Sequence, residues 1–234
     1  TEYYGVWRYT PANGAWENTG GGVSSSEVRS ALWNGYDLFV GTDKHGVFRY
    51  DPATLSWIDI GGVSNYTVYA LAWGSAYLYA ATDGHGIWRY HPDTGNWADT
   101  GGGLSTYDVY SLAWSGDHLY AGTGGHGVWR YDPASDEWTD TGGDIGILSV
   151  YALTPGDSFL YAGTNGIGVW RYDIDAGEWF YLGGDVGGFV VYSLLWDGAF
   201  LHAGTMDHGV WRYDPLEETW ADTGGKVSKL TIPA

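Results

Sequence analysis

Apolar and aromatic side chains alternate along short stretches of this chain, and glycine-rich turns separate those stretches. Val109-Tyr-Ser-Leu-Ala-Trp114 puts Tyr110, Leu112 and Trp114 on one face and Val109 and Ala113 on the other, which is the period of a strand covered on both sides. After a Ser-Gly-Asp turn comes His118-Leu-Tyr-Ala-Gly-Thr123, and after Gly-Gly-His-Gly comes Val128-Trp-Arg-Tyr131. The Asp and Pro at 132 and 133 set a tight turn, and Glu137-Trp-Thr-Asp140 reads as a fourth strand closed by Thr-Gly-Gly. The pattern predicts a four-stranded antiparallel meander.

The meander recurs. Gly-Val-Trp-Arg-Tyr starts at Gly5, Gly127, Gly168 and Gly209, with Ile87 in the copy at Gly86 and Phe48 in the copy at Gly46, at spacings of 41, 40, 41, 41 and 41 residues. A period of this kind means one supersecondary unit copied along the chain. Helix-free units with two apolar faces predict an all-β fold, a β-propeller of about six four-stranded blades in one domain, 1–234. Five units are complete between residues 28 and 223. Residues 1–27 carry only the outer strands of another, and 224–234 form a closing segment. That incomplete blade is either stitched from both termini or completed by another copy, since an open strand edge recruits strands. Thr1, Glu2, Tyr3 and Tyr4 at one end and Leu230 and Ile232 at the other are the candidate assembly and closure residues.

All 15 Trp fall inside the repeat: five in the motif, six in the fourth strand and four at the end of the first strand. With aromatics making up 18% of the chain, packing between blades is their expected use. The net charge of -18 comes from 28 acidic and 10 basic residues, and six of the seven Arg lie in the motif. No basic track for nucleic acid is left, no apolar run is long enough for membrane insertion, and the acidity suits a secreted, extracellular or cell-surface protein. The absence of Cys excludes disulfides and thiol chemistry. The chain opens in mid-repeat at Thr1, as a mature product or a fragment does.

Leu119-Tyr-Ala-Gly-Thr followed by Gly127-Val-Trp-Arg-Tyr-Asp-Pro-Ala resembles the bacterial two-component regulator propeller repeat, and more loosely the repeats of short-blade and lectin propellers. The resemblance covers nearly the whole chain. It implies a propeller, without fixing an activity.

Candidate chemistry sits in two sets of loops. The turn between second and third strands carries His45, His85, His126 and His208, with Asp43 and Asp83 beside two of them. Hydrogen bonds that stabilise the turn are the expected use of these groups, and their irregular set of donors does not define a metal site. The loops that lead from one unit to the next carry Tyr66, Tyr107 and Phe189, rings able to stack on a sugar beside acidic or imidazole acceptors. The motif Arg, with Asp two positions on in four copies, reads as a structural pair or network. No nucleophile–base pair, phosphate loop or acid pair remains once the repeat is removed. The chain therefore reads as a non-enzymatic, self-associating structural or interaction scaffold without cofactor, a homo-oligomer or polymer. The alternatives are a multivalent lectin that binds glycans and, further off, a glycosidase or polysaccharide lyase.

Overall fold

The computed structural model describes residues 5–224. Thr1, Glu2, Tyr3, Tyr4, Leu230 and Ile232, the candidate closure residues, lie outside them. Two compact units meet in sequence between Val109 and Tyr110. The first unit begins with a two-stranded sheet, β1 (Trp7–Thr10) and β2 (Ala15–Asn18). Two four-stranded sheets follow: β3 (Val28–Trp33), β4 (Leu38–Thr42), β5 (Val47–Asp51) and β6 (Ser56–Asp59), then β7 (Val68–Gly74), β8 (Tyr77–Thr82), β9 (Ile87–His91) and β10 (Asn96–Asp99). The second unit has three: β11 (Val109–Ser115) to β14 (Glu137–Asp140) through β12 (His118–Thr123) and β13 (Val128–Asp132); β15 (Val150–Pro155), β16 (Phe159–Thr164), β17 (Val169–Asp173) and β18 (Glu178–Tyr181); and β19 (Val191–Trp196), β20 (Leu201–Thr205), β21 (Gly209–Asp214) and β22 (Thr219–Asp222). Each four-stranded sheet is an antiparallel meander in chain order, as the pattern predicts.

Local chemistry fixes the turns. Asp51, Asp132, Asp173 and Asp214 end third strands, and each carboxylate accepts the amide two residues on at 2.8–3.1 Å, the Asx geometry that reverses a chain. Among the motif Arg, Arg49 lies 4.0 Å from Asp37 and its charge also acts on Asp51. Arg171 lies 4.5 Å from the Phe159 ring centre, Arg212 4.4 Å from that of Phe200 and Arg89 5.4 Å from that of Tyr77, all aromatics at the start of the second strand. Arg8 has no second strand beside it among the described residues and donates to Glu17 at 2.7 Å.

Three latches join neighbouring sheets inside each unit. The motif glycine comes first. Gly46, Gly86 and Gly168 have φ of 66–69°, and a Cβ there would stand 2.6 Å from the carbonyl oxygen of Val63, Leu104 or Val186 on the following connection; only glycine permits both the backbone angle and the approach. The second latch is apolar: Val23, Val63, Leu104, Ile145 and Val186, one on each connection, are fully buried. Four of these connections are short 3-10 turns. The third is polar. Trp57 Nε1 donates to Thr19 Oγ1 at 2.8 Å and Trp179 Nε1 to Thr141 Oγ1 at 3.0 Å, each reaching back to the preceding sheet. Where Ile60 replaces that Thr, Trp97 donates to the Ile60 carbonyl at 3.0 Å. Where Leu182 replaces it, the indole nitrogen of Trp220 is buried without a partner among the described residues. Among the described residues no helix is long and apolar enough to cross a membrane.

Candidate functional site

The second-to-third-strand turn is set by a buried Thr. Thr42, Thr82, Thr123, Thr164 and Thr205 are fully buried, and each hydroxyl donates to the carbonyl of the glycine four residues on at 2.7–2.8 Å. This closes a loop too short to reach far, and the predicted histidines turn back on it. Nδ1 of His45, His85, His126 and His208 lies 2.6–3.0 Å from the carbonyl two residues earlier. A carbonyl only accepts, so Nδ1 carries the proton, and Nε2 is the acceptor of the neutral ring. The backbone carbonyls of His85, His126 and His208 accept from the indoles of Trp88, Trp129 and Trp211 at 3.0–3.1 Å.

The structure brings the two predicted loop sets together as stacks. Tyr66 lies on His85 with ring centres 4.0 Å apart and planes at 15°, and Phe189 lies on His208 at 3.8 Å and 13°. Trp88 and Trp211 complete these clusters at 6.0 and 5.8 Å from the same rings. Each aromatic thus has one face committed to a histidine, and the stack fixes the connection entering a sheet against that sheet's second-to-third-strand turn. Tyr107 sits on the equivalent connection, where its carbonyl accepts the Gly86 amide at 3.2 Å. Asp43 stands apart from the stacks, accepting from Thr67 Oγ1 at 3.0 Å with Arg29 3.7 Å away.

Asp83 lies beside Asp108, Tyr69 and His85. Burial, followed by the hydrogen bond and charge of Asp108, raises its carboxyl above the usual range, while Tyr69 and His85 act in the opposite sense. Burial and the same two carboxylates raise the Tyr69 phenol. Among the described residues no group of three or more His, Cys, Asp or Glu is placed to hold a metal.

A second tyrosine set was not singled out from the sequence. Tyr110, Tyr151 and Tyr192 stand at one position of successive first strands, with ring centres 5.2 and 5.5 Å apart. The corresponding residue of β3 is Arg29, and that departure from the repeat was the available signal. It points to the first sheets, where coverage changes. Trp16 is 64% exposed and Trp33 62% exposed, whereas Trp57 and Trp220 in the Trp16 position are 7% and 8% exposed.

No protein family model matches this sequence, and no curated protein matches it. Solved structures do. The computationally designed Ika8 protein superposes with a TM-score of 0.75 at 17% identity, over 97% of this chain and 71% of that one. A chain of the Mitotic Checkpoint Complex gives a TM-score of 0.74 at 18% identity, over 95% and 71%. The extracellular domain of the putative one component system BT4673 from B. thetaiotaomicron gives a TM-score of 0.74 at 25% identity, over 88% of this chain and 29% of that one. The chain spans less than a third of that protein's length. With its repeated four-stranded antiparallel meanders, this chain has an all-β fold of the β-propeller class.

Proposed function

We propose that this chain is a non-enzymatic β-propeller scaffold of the extracellular space or cell surface that associates head to tail with copies of itself. Its likeness to an extracellular domain at 25% identity supports the location. The observation that carries the assembly is the bare aromatic face of the first sheet: Trp7, Tyr9 and Trp16 are 45%, 46% and 64% exposed. In the next sheet the same three positions are Phe48, Tyr50 and Trp57, which pack on Val23 and Val6 of the preceding segment. An exposed face built from residues that a neighbouring sheet normally covers marks an interaction surface.

The chain also carries the matching half. Thr223 Oγ1 donates to the Val210 carbonyl at 2.8 Å, as Thr19 does to Val6 and Thr141 to Val128. Thr19 and Thr141 each accept an indole N–H as well, while Thr223 has no such donor among the described residues. In a second copy, Thr223 meets Trp16 in the contact that Thr19 and Trp57 make within one chain. Two different patches form this contact, so it is heterologous and propagates into rings or fibres. Sedimentation equilibrium over a range of concentrations tests it. The mass should rise with concentration for the full chain, fall to that of a monomer in Trp16→Ala and in a chain lacking residues 1–22, and be weakened in Thr223→Val. A strictly monomeric mass at high concentration overturns the reading.

A further inference from the structure

The first sheet differs from the others at its edge as well as on its face. β1 and β2 are the third and fourth strands of a unit, and among the described residues β1 pairs only with β2. In complete sheets the third strand also pairs with a second strand, in the register Tyr120 opposite Arg130, Ala121 opposite Trp129 and Gly122 opposite Val128. The corresponding groups on β1 and its approach are Arg8, Trp7 and Val6.

Repeats elsewhere in the chain show what normally occupies this edge. Trp73 stacks on Phe39 of the preceding sheet's second strand, with centres 5.9 Å apart and planes at 21°; Trp196 stacks on Tyr161 at 5.7 Å and 23°. Trp33, at the same position of β3, is 62% exposed. Two residues after the Phe39 and Tyr161 position the second strand carries a small residue, Gly41, Gly122, Gly163 and Gly204 in four sheets and Ala81 in β8, and the following sheet stands against three of the glycines. A Cβ on Gly41, Gly122 or Gly163 would come within 2.6–2.7 Å of the Cγ1 of Val68, Val150 or Val191. Those valines are fully buried, whereas Val28, their counterpart on β3, is only partly covered. Leu38 is partly covered too, whereas Leu78, Leu119, Leu160 and Leu201 are fully buried. Beside β1, a recess of about 190 Å³ runs between Val6, Thr19, Leu38, Tyr50 and Trp57.

We propose that the open edge of β1 is a strand-acceptor site for an extended segment, supplied in trans, of the pattern aromatic–small–Gly–Thr. Backbone hydrogen bonds to β1 give affinity, and pockets for alternate side chains give selectivity. The incoming ring stacks on Trp33, its glycine lies over Val28 opposite Val6, and the residue at the start of the strand meets Arg8. A β-branched or bulky residue in place of the glycine is excluded by the distances measured at Gly41, Gly122 and Gly163. The site lies on the same sheet as the proposed self-association but uses its edge and the Trp33 side, so the two stand or fall separately.

The probe is a synthetic hairpin of residues 107–124, which carries a first and a second strand of the chain's own repeat, titrated into the full-length protein by calorimetry. Saturable one-to-one binding is expected. Trp33→Ala in the protein or Tyr120→Ala in the peptide should weaken it roughly tenfold, the scale of one aromatic pair, and Gly122→Val in the peptide should abolish it. Trp33 is exposed, so its truncation leaves the fold intact, which an unchanged melting temperature verifies. The Trp16→Ala protein should bind the peptide as tightly as the parent, which separates this site from self-association. Absence of saturable binding at about millimolar peptide, or equal binding by the Gly122→Val peptide, overturns the proposal.

Discussion

Removing a single indole N–H tests whether neighbouring sheets are latched by hydrogen bonds or only by packed rings. Trp179 Nε1 donates to Thr141 Oγ1 at 3.0 Å, and that hydroxyl donates to the Val128 carbonyl at 2.7 Å. Thr141→Val removes the acceptor and leaves the part-buried indole donor unpaired, a loss of about 1–3 kcal/mol. The Val128 carbonyl keeps the Thr141 amide at 3.1 Å, so no second polar group is orphaned. Trp179→Phe loses the same hydrogen bond, about 1 kcal/mol net, together with apolar contact. In a double-mutant cycle the contact terms cancel, and the double variant should be less destabilised than the sum of the singles by about 1 kcal/mol. Urea midpoints measure this coupling; as a melting temperature it corresponds to about 2–4 °C for a chain of this size. The protein supplies its own control, since Leu182 stands where Thr141 does and the Trp220 indole has no partner among the described residues. Leu182→Val with Trp220→Phe should therefore show a coupling smaller by about 1 kcal/mol. Equal coupling at the two sites would refute the latch.

Two other outcomes follow from the turns. Gly166 (φ 78°) faces open space, whereas Gly168 (φ 66°) would place a Cβ 2.6 Å from the Val186 carbonyl. Gly166→Ala should cost about 1–2 kcal/mol from the left-handed backbone, and Gly168→Ala about 1–3 kcal/mol more from the clash; thermal melts that give the two equal costs would contradict this. Asp197 is held down to about 2, chiefly by the Phe200 amide, with His202 and the Ala199 amide next. Its folded value is depressed, so its contribution is present above the ordinary 3.8 and lost as pH falls towards about 2. Asp197→Asn keeps an oxygen for both amides and removes the charge, so the variant should lose less melting temperature than the parent between those two pH values. An identical loss would show that Asp197 is not the group responsible.

The exposed tryptophans show where the repeat stops being uniform. At the Trp57 position the sequence offers the same residue six times, and at the Trp73 position four times, yet Trp16 and Trp33 are exposed while Trp57 and Trp220 are buried. Their identity cannot reveal this difference, because coverage is a property of the neighbouring sheet. The incomplete unit at residues 1–27 and the replacement of the first-strand tyrosine by Arg29 are the sequence features that mark that end. In the same way His85 and Tyr66, 19 positions apart, gave no sign that they stack. Tyr66 lies on the connection that enters a sheet and His85 on the turn between that sheet's second and third strands, and their contact depends on how β7 and β8 bring the two loops to one end.

Side-chain pattern alone is enough for the all-β fold, the unit of four strands and nearly every strand boundary. Those features rest on local causes: side-chain alternation, Asp that caps its own turn, and glycine where the backbone needs positive φ. Tertiary structure decided the rest. It stacked Tyr66 on His85 and Phe189 on His208, set Arg171 and Arg212 against the Phe159 and Phe200 rings and left Trp7, Tyr9 and Trp16 of the first sheet exposed. These outcomes depend on contacts between residues some 20 to 40 positions apart, and a pattern that repeats in every unit cannot say which copy goes without its neighbour.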